Sequence, residues 1–220
     1  MNNTTAESNF FFRLKKFFVE RIKFIAIISV LIFLFFLSFQ IFSYYKINKV
    51  QKSSINFFNA KDSDNKEDFY DLMKELSDNN DFYSVIANLE LINVNLLNSD
   101  YKIALELYKK VLSTKNLEPV YISAIATSAA YNFIDIQYKN QSLNFLSEIE
   151  YFINNINDNL KSYIDFKLEL KYLLMIAKKD INNLSYSNVS EAIDLHKQIM
   201  ESEDISSTIK ERVNKIHEFQ

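Results

Sequence analysis

The 220-residue chain has no Gly, no Cys and no Trp, a single Pro at position 119, and a formal net charge of −3. Backbone without Gly cannot easily turn through positive φ or approach a phosphate closely, which excludes phosphate loops, dinucleotide fingerprints and nucleophile elbows; absent Cys excludes disulfides, thiolate metal sites and a thiol nucleophile. Charge is uneven, with five Lys/Arg against two Asp/Glu in residues 1–23 and 20 against 26 in residues 46–220, so the C-terminal part is acidic and a poor nucleic-acid binder.

Residues 1–9, MNNTTAESN, are polar and expected to fray. In the next run, FFFRLKKFFVERIKF, the cations Arg13, Lys15, Lys16, Arg21 and Lys23 interleave with Phe10–Phe12, Phe17, Phe18 and Ile22. Two readings stay open: an interfacial helix facing anionic lipid, or a positively charged membrane flank.

The stretch Phe24 to Tyr45 has 22 residues without a charge, 15 of them Leu, Ile, Phe or Val. At about 1.5 Å per residue a helix of that length spans roughly 33 Å, against a hydrocarbon core of about 30 Å. At about −0.3 to −0.6 kcal/mol each, its apolar residues supply at most roughly −5 to −9 kcal/mol of insertion energy, which Ser29, Ser38 and Gln40 do not cancel. A cleavable signal peptide would carry a shorter apolar region and small residues at a cleavage site. Here the run ends in Phe39-Gln40-Ile41-Phe42. The sequence therefore reads as an uncleaved transmembrane anchor. Five Lys/Arg precede it and Lys46, Lys49 and Lys52 follow, which places the N-terminus in the cytoplasm and the C-terminal domain outside it; Tyr44 and Tyr45 fit the outer aromatic belt.

Residues 46–60 continue as a helix leaving the membrane, and KDSDNKED after them reads as a loop or helix start. Phe69, Leu72, Met73 and Leu76 then recur at helical spacing up to a turn at residues 77–81. In the following helix Phe82, Val85, Ile86, Leu89, Ile92 and Leu96 form one apolar face, with Ala87, Leu91 and Val94 near a second, as expected of a helix packed between two neighbours. The three-residue break Asn98-Ser99-Asp100 forces an antiparallel partner.

That partner, residues 99–112, resembles the second helix of a tetratricopeptide repeat. Ala104, Tyr108 and Val111 fill its small, aromatic and small-or-apolar places; a small residue lets paired helices approach, and the aromatic fills the space one turn on. In the first helix Leu91 matches, but Ile92 stands where the repeat has Gly, and Asn88 and Asn95 where it has large aromatics, so the repeat is degenerate. Two more pairs follow. Pro119 suits the first turn of a helix in which Ala124, Ala126, Ala129 and Ala130 permit close contact, and its partner turns in Leu143, Leu146, Ile149 and Phe152 or Ile153. The third pair is residues 160–179 with residues 187–202, where Ser190 or Ser187 would cap the second helix. Helix starts near 82, 118 and 160 loosely match the roughly 34-residue repeat, and the charged last helix, residues 205–219, supplies the polar outer face that terminal repeats need.

Over the whole chain, Leu14-Lys15-Lys16-Phe17-Phe18, the single apolar span, Phe57-Phe58-Asn59-Ala60 and Tyr83 to Leu91 (Tyr-x-x-x-Ala-x-Leu-Glu-Leu) are similar to the YfgM-type ancillary subunit of the SecYEG translocon. The resemblance implies a bacterial inner-membrane protein with a periplasmic repeat domain that associates with the translocon and with periplasmic chaperones.

The expected organisation is all-α: a basic and aromatic segment at 1–23, a transmembrane helix at 24–45, an exit helix and connector at 46–81, and a tetratricopeptide-repeat-like α-solenoid of antiparallel pairs at 82–220. No catalytic, cofactor-binding or metal residue is named. His196 and His217 lack a second ligand at i+3 or i+4, acidic pairs such as Glu148/Glu150 diverge on a helix, and the hydroxyls lack a base constellation. What remains is a groove for protein partners, which Asn88, Asn95 and the tyrosines would line unless those tyrosines belong to the core. The expected function is a membrane-anchored interaction scaffold and not an enzyme, with no cofactor, nucleic acid or small-molecule substrate. A scaffold for envelope assembly or cell division, and a membrane-anchored helical enzyme, are the alternatives.

Overall fold

The computed structural model describes residues 4–79, 81–115, 117–140, 142–186 and 189–220, with the backbone alone for residues 4–11, 13, 14, 18 and 25. The described residues form nine helices and no strand: α1 (Thr4–Lys61), α2 (Lys66–Ser77), α3 (Phe82–Leu97), α4 (Tyr101–Leu112), α5 (Pro119–Lys139), α6 (Leu146–Asn154), α7 (Lys161–Ile181), α8 (Ser190–Glu201) and α9 (Ser207–Glu218). They fall into two compact units, Met1–Asn59 and Ala60–Gln220.

The first unit is one continuous helix. Residues 4–9, expected to fray, are helical, while residues 1–3 lie outside the described residues. Every described side chain from Phe24 to Phe42 is exposed. The Val19–Lys61 portion is long and apolar enough to cross a membrane, with a mean hydropathy of 2.7 in its most apolar window. A helix apolar all round is stable only where something other than water surrounds it. Ser38 turns its hydroxyl inward and donates to the Leu34 carbonyl at 2.9 Å, which lowers the cost of carrying it there. Below the apolar run, the Arg21 guanidinium lies 5.3 Å over the Phe17 ring.

In the second unit each helix packs on the next: α2 on α3, α3 on α4, α4 on α5, and so on to α9. Contacts also join α5 to α7 and α7 to α9, which makes α7 the most enclosed helix. Local signals set the boundaries. The Asn65 side chain accepts from the Glu67 amide and the Asp81 side chain from the Ser84 amide, capping α2 and α3. Pro119 occupies the first turn of α5, where its missing N–H costs nothing. Ser190 does not cap α8: it is the first helical residue, the cap position is Val189 without a side-chain bond, and Ser187 lies outside the described residues.

A glycine-free chain still needs left-handed residues to end helices, and two positions supply them. At Ser99 (φ 63°) the Asp100 amide donates to Asn95 O and the Ser99 amide to Leu96 O. At Asn183 (φ 52°) the Leu184 amide donates to Lys179 O and the Asn183 amide to Asp180 O. Both are Schellman turns, with a side chain where glycine usually sits. The expectation that such turns would be avoided is corrected here: the two bonds each turn makes offset the steric cost, and Asn tolerates the conformation better than Ser.

The core is aromatic at its centre. Phe133 of α5, fully buried, meets Tyr108 of α4 at 6.3 Å, Phe145 at 5.0 Å and Phe152 of α6 at 5.7 Å between ring centroids. Ala104, Tyr108 and Val111 are all buried, as are Ala126, Ala129, Ala130, Ile149, Phe152 and Ile153. Both apolar faces expected of α3 are used, with Val85 and Ile92 on one and Ala87 and Leu91 on the other buried, but Phe82 is exposed and Asn88 and Asn95 are buried as well. Asn95 donates to Leu91 O at 2.7 Å, and Asn88 donates to Ser84 O and to Ser77 O at the end of α2. Asn88 thereby ties α3 to α2, while Asn95 bonds within α3. They do not line a groove, which corrects the role expected of them.

Candidate functional site

Two clusters of polar side chains stand out in the Ala60–Gln220 unit, the second built on the two histidines for which the sequence offered no second ligand. The first joins α5, α7 and α9. Glu169, 2% exposed, lies on α7 between Leu168 and Leu170, with Lys167 and Lys171 two residues to either side. Arg212 of α9 grips it through two bonds, Nε to Oε1 at 2.8 Å and Nη2 to Oε2 at 2.5 Å. Tyr131 of α5 donates its hydroxyl to the same Oε2 at 2.5 Å.

A buried carboxylate is costly unless it is paired and hydrogen-bonded, and this one is held from both sides. The pairing shows in the partners' ionisation. Glu169 raises the affinity of Arg212 for its proton, and burial, reinforced by the Glu169 carboxylate, pushes the Tyr131 phenol well above its ordinary value. Around this triad lies an open trough of about 650 Å³, lined by Phe166, Leu173 and Ile216 with Arg212 and Lys215 also at its walls. It offers apolar surface with cationic groups beside it. Glu169 takes all three bonds from Tyr131 and Arg212, while Arg212, 48% exposed, keeps further N–H groups toward the trough's open side.

The second cluster involves both histidines. The imidazoles of His196 on α8 and His217 on α9 stack with centroids 3.8 Å apart and planes 20° from parallel. Tyr186 meets His217 edge-on, its hydroxyl 3.0 Å from Nδ1, and Tyr172 of α7 lies 6.2 Å from the His196 ring. Burial first, and then the neighbouring His217, lower the affinity of His196 for a proton, against a hydrogen bond from Asn214 that raises it. The rings face one another instead of converging on a point. Among the described residues no group of three His, Cys, Asp or Glu could hold a metal ion.

The first cluster left a faint trace in the sequence: Tyr131, Glu169 and Arg212 recur 38 and 43 residues apart, near the spacing of the helix pairs. The second left none, since His196 lies five residues before the end of α8 and His217 ten residues after the start of α9, a spacing that a hairpin register does not single out. Of the tyrosines, Tyr108 and Tyr172 belong to the core, whereas Tyr121 and Tyr138 are exposed. No protein-family model matches this chain, and no curated protein or solved structure matches it.

Proposed function

We propose that this protein is a single-pass, membrane-anchored scaffold whose helical unit holds protein partners beside the Sec translocon of a bacterial inner membrane and links it to periplasmic chaperones. The observation that carries this reading is the 22-residue uncharged run of α1, exposed on every described side from Phe24 to Phe42. Lipid is the environment that such a surface fits. The excess of Lys/Arg before the run supports a cytoplasmic N-terminus and a periplasmic helical unit.

A tetratricopeptide-repeat-like solenoid is the arrangement we infer for the helical unit. It is supported by the order of packing: α5, α7 and α9 touch in succession, while α6 and α8 each bridge consecutive members of that row. In such stacks one row of helices lines the partner-binding face, and Tyr131, Glu169 and Arg212 lie on that row. The tether confines the trough near the membrane and raises its effective concentration for partners there. No bond is made or broken by the scaffold.

Mild crosslinking of the intact protein in its membrane, followed by pull-down, tests the reading. Enrichment of translocon subunits is expected. Enrichment of envelope-assembly or division proteins instead would overturn the translocon assignment and leave the scaffold.

A further inference from the structure

We propose that the stacked His196–His217 pair is an acid-operated latch, which fastens α9 to α8 while at most one ring is charged and releases it when the pair takes up a second proton. The geometry carries this. Two imidazoles whose centroids lie 3.8 Å apart gain from stacking when neutral or when they share a single positive charge. Two imidazolium rings at that distance repel, and both rings are half-buried.

The surroundings offer little to neutralise a second charge. Tyr172 approaches from α7 and Tyr186 from the turn before α8, both as uncharged phenols. Tyr138 of α5 and Tyr186 act on Tyr172 from beyond it, and the carboxylate of Asp180 near Tyr138 is paired with Lys179 at 3.0 Å. On α9, Asn214 hydrogen-bonds His196 and gives its amide proton to Glu218 at 2.8 Å. The ion pair between α7 and α9, Glu169 with Arg212, is neutral as a unit, and Glu211 is engaged by Lys215. On the outer side of α8, Lys197 faces Glu201. The Nε2 atom of His196 is buried without a hydrogen-bond partner among the described residues. Parting the rings relieves the repulsion of a doubly protonated pair.

The sign follows from linkage. His196 binds a proton less readily in the folded hairpin than in an opened one, where its ordinary value is 6.5. The hairpin is therefore at full strength above pH 6.5 and weakens as the pH falls below it, by up to about tenfold in opening equilibrium per pH unit until the folded pair is itself protonated. Because α9 supplies Arg212, Lys215 and Ile216 to the trough, opening it would also remodel the partner-binding face, a consequence that rests on the scaffold reading while the latch does not.

The test is hydrogen–deuterium exchange of the full chain in phospholipid nanodiscs between pH 7.5 and 5.0, corrected for the intrinsic pH dependence of exchange. The expected result is that protection of α8 and α9 falls up to about tenfold per unit below pH 6.5 while α3 and α4 hold, and that His217→Phe, an uncharged stacking ring, reduces the dependence to the part that burial of His196 alone sets. Equal behaviour of the two regions in the parent chain, or the same acid response in H217F, would overturn the proposal. Should H217F fail to fold, imidazole proton resonances of the parent chain decide, since it has only two histidines. Two separated titrations, one of them below pH 6.5, support the latch, and two coincident ordinary ones refute it.

Discussion

α1 carries a long exposed apolar run and α7 is the helix most enclosed by its neighbours, and the two treat charge in opposite ways. In α7 the chain itself provides the surroundings, and each buried charge has a partner. Lys167 donates to Ile156 O and to Asp158, both at 2.7 Å, and holds that carboxyl below its usual range; Glu169 is held by Arg212 and Tyr131. In α1 the apolar run has no charge to satisfy, and every described side chain from Phe24 to Phe42 is exposed. Enclosure by protein tolerates charges that are answered. A lipid-facing surface tolerates almost none, and the uncharged run of α1 meets that condition.

The comparison breaks most severely if charge enters α1. Each Arg at the centre of the run costs about 2.5–3.5 kcal/mol and forfeits one apolar contribution, so Phe33→Arg with Leu34→Arg removes roughly 6–8 kcal/mol of insertion energy. That nearly cancels the upper estimate for the whole segment. Membrane flotation of the variant should show the protein leaving the lipid fraction, whereas F33R alone should remain largely bound.

In the helical unit the largest loss is expected at the aromatic centre. Phe133→Ala empties a fully buried site ringed by Tyr108, Phe145 and Phe152, and should cost about 3–5 kcal/mol in urea denaturation of the intact chain. Arg212→Ala should cost about 3 kcal/mol, at the low end for breaking a buried pair because the Arg212 side chain is 48% exposed. Replacing both partners, E169M with R212M, should recover most of that loss, because no uncompensated charge is left behind. If the double variant is as unstable as R212A, the charge itself is not what α7 must have answered.

The smallest effect has the opposite sign. Ser99→Gly should stabilise the unit by about 0.5–1 kcal/mol, since glycine adopts the left-handed turn without a Cβ clash, and Asn183→Gly should gain less. Thermal unfolding of the two variants side by side checks the difference.

How much of this was legible depends on whether the signal was local. The long apolar helix at the N-terminus, the start of α5 at Pro119 and the tight break after α3 were readable because uncharged length, first-turn proline and a three-residue connection act within a few residues. The burial of Ala104, Tyr108 and Val111 was readable because helical spacing puts them on one face. The burial of Asn88 and Asn95 was not: they look like surface residues until the carbonyls of Ser77, Ser84 and Leu91 are placed beside them. The two polar clusters were hidden for the same reason, since Glu169 meets Arg212, and His196 meets His217, only after separate helices have packed.

Alkaline carbonate extraction of membranes, with mass analysis of the recovered protein, tests the central claim most directly. The account predicts that the protein stays with the phospholipid and retains residues 24–45. Recovery in the soluble fraction, or a mass that lacks those residues, would contradict it.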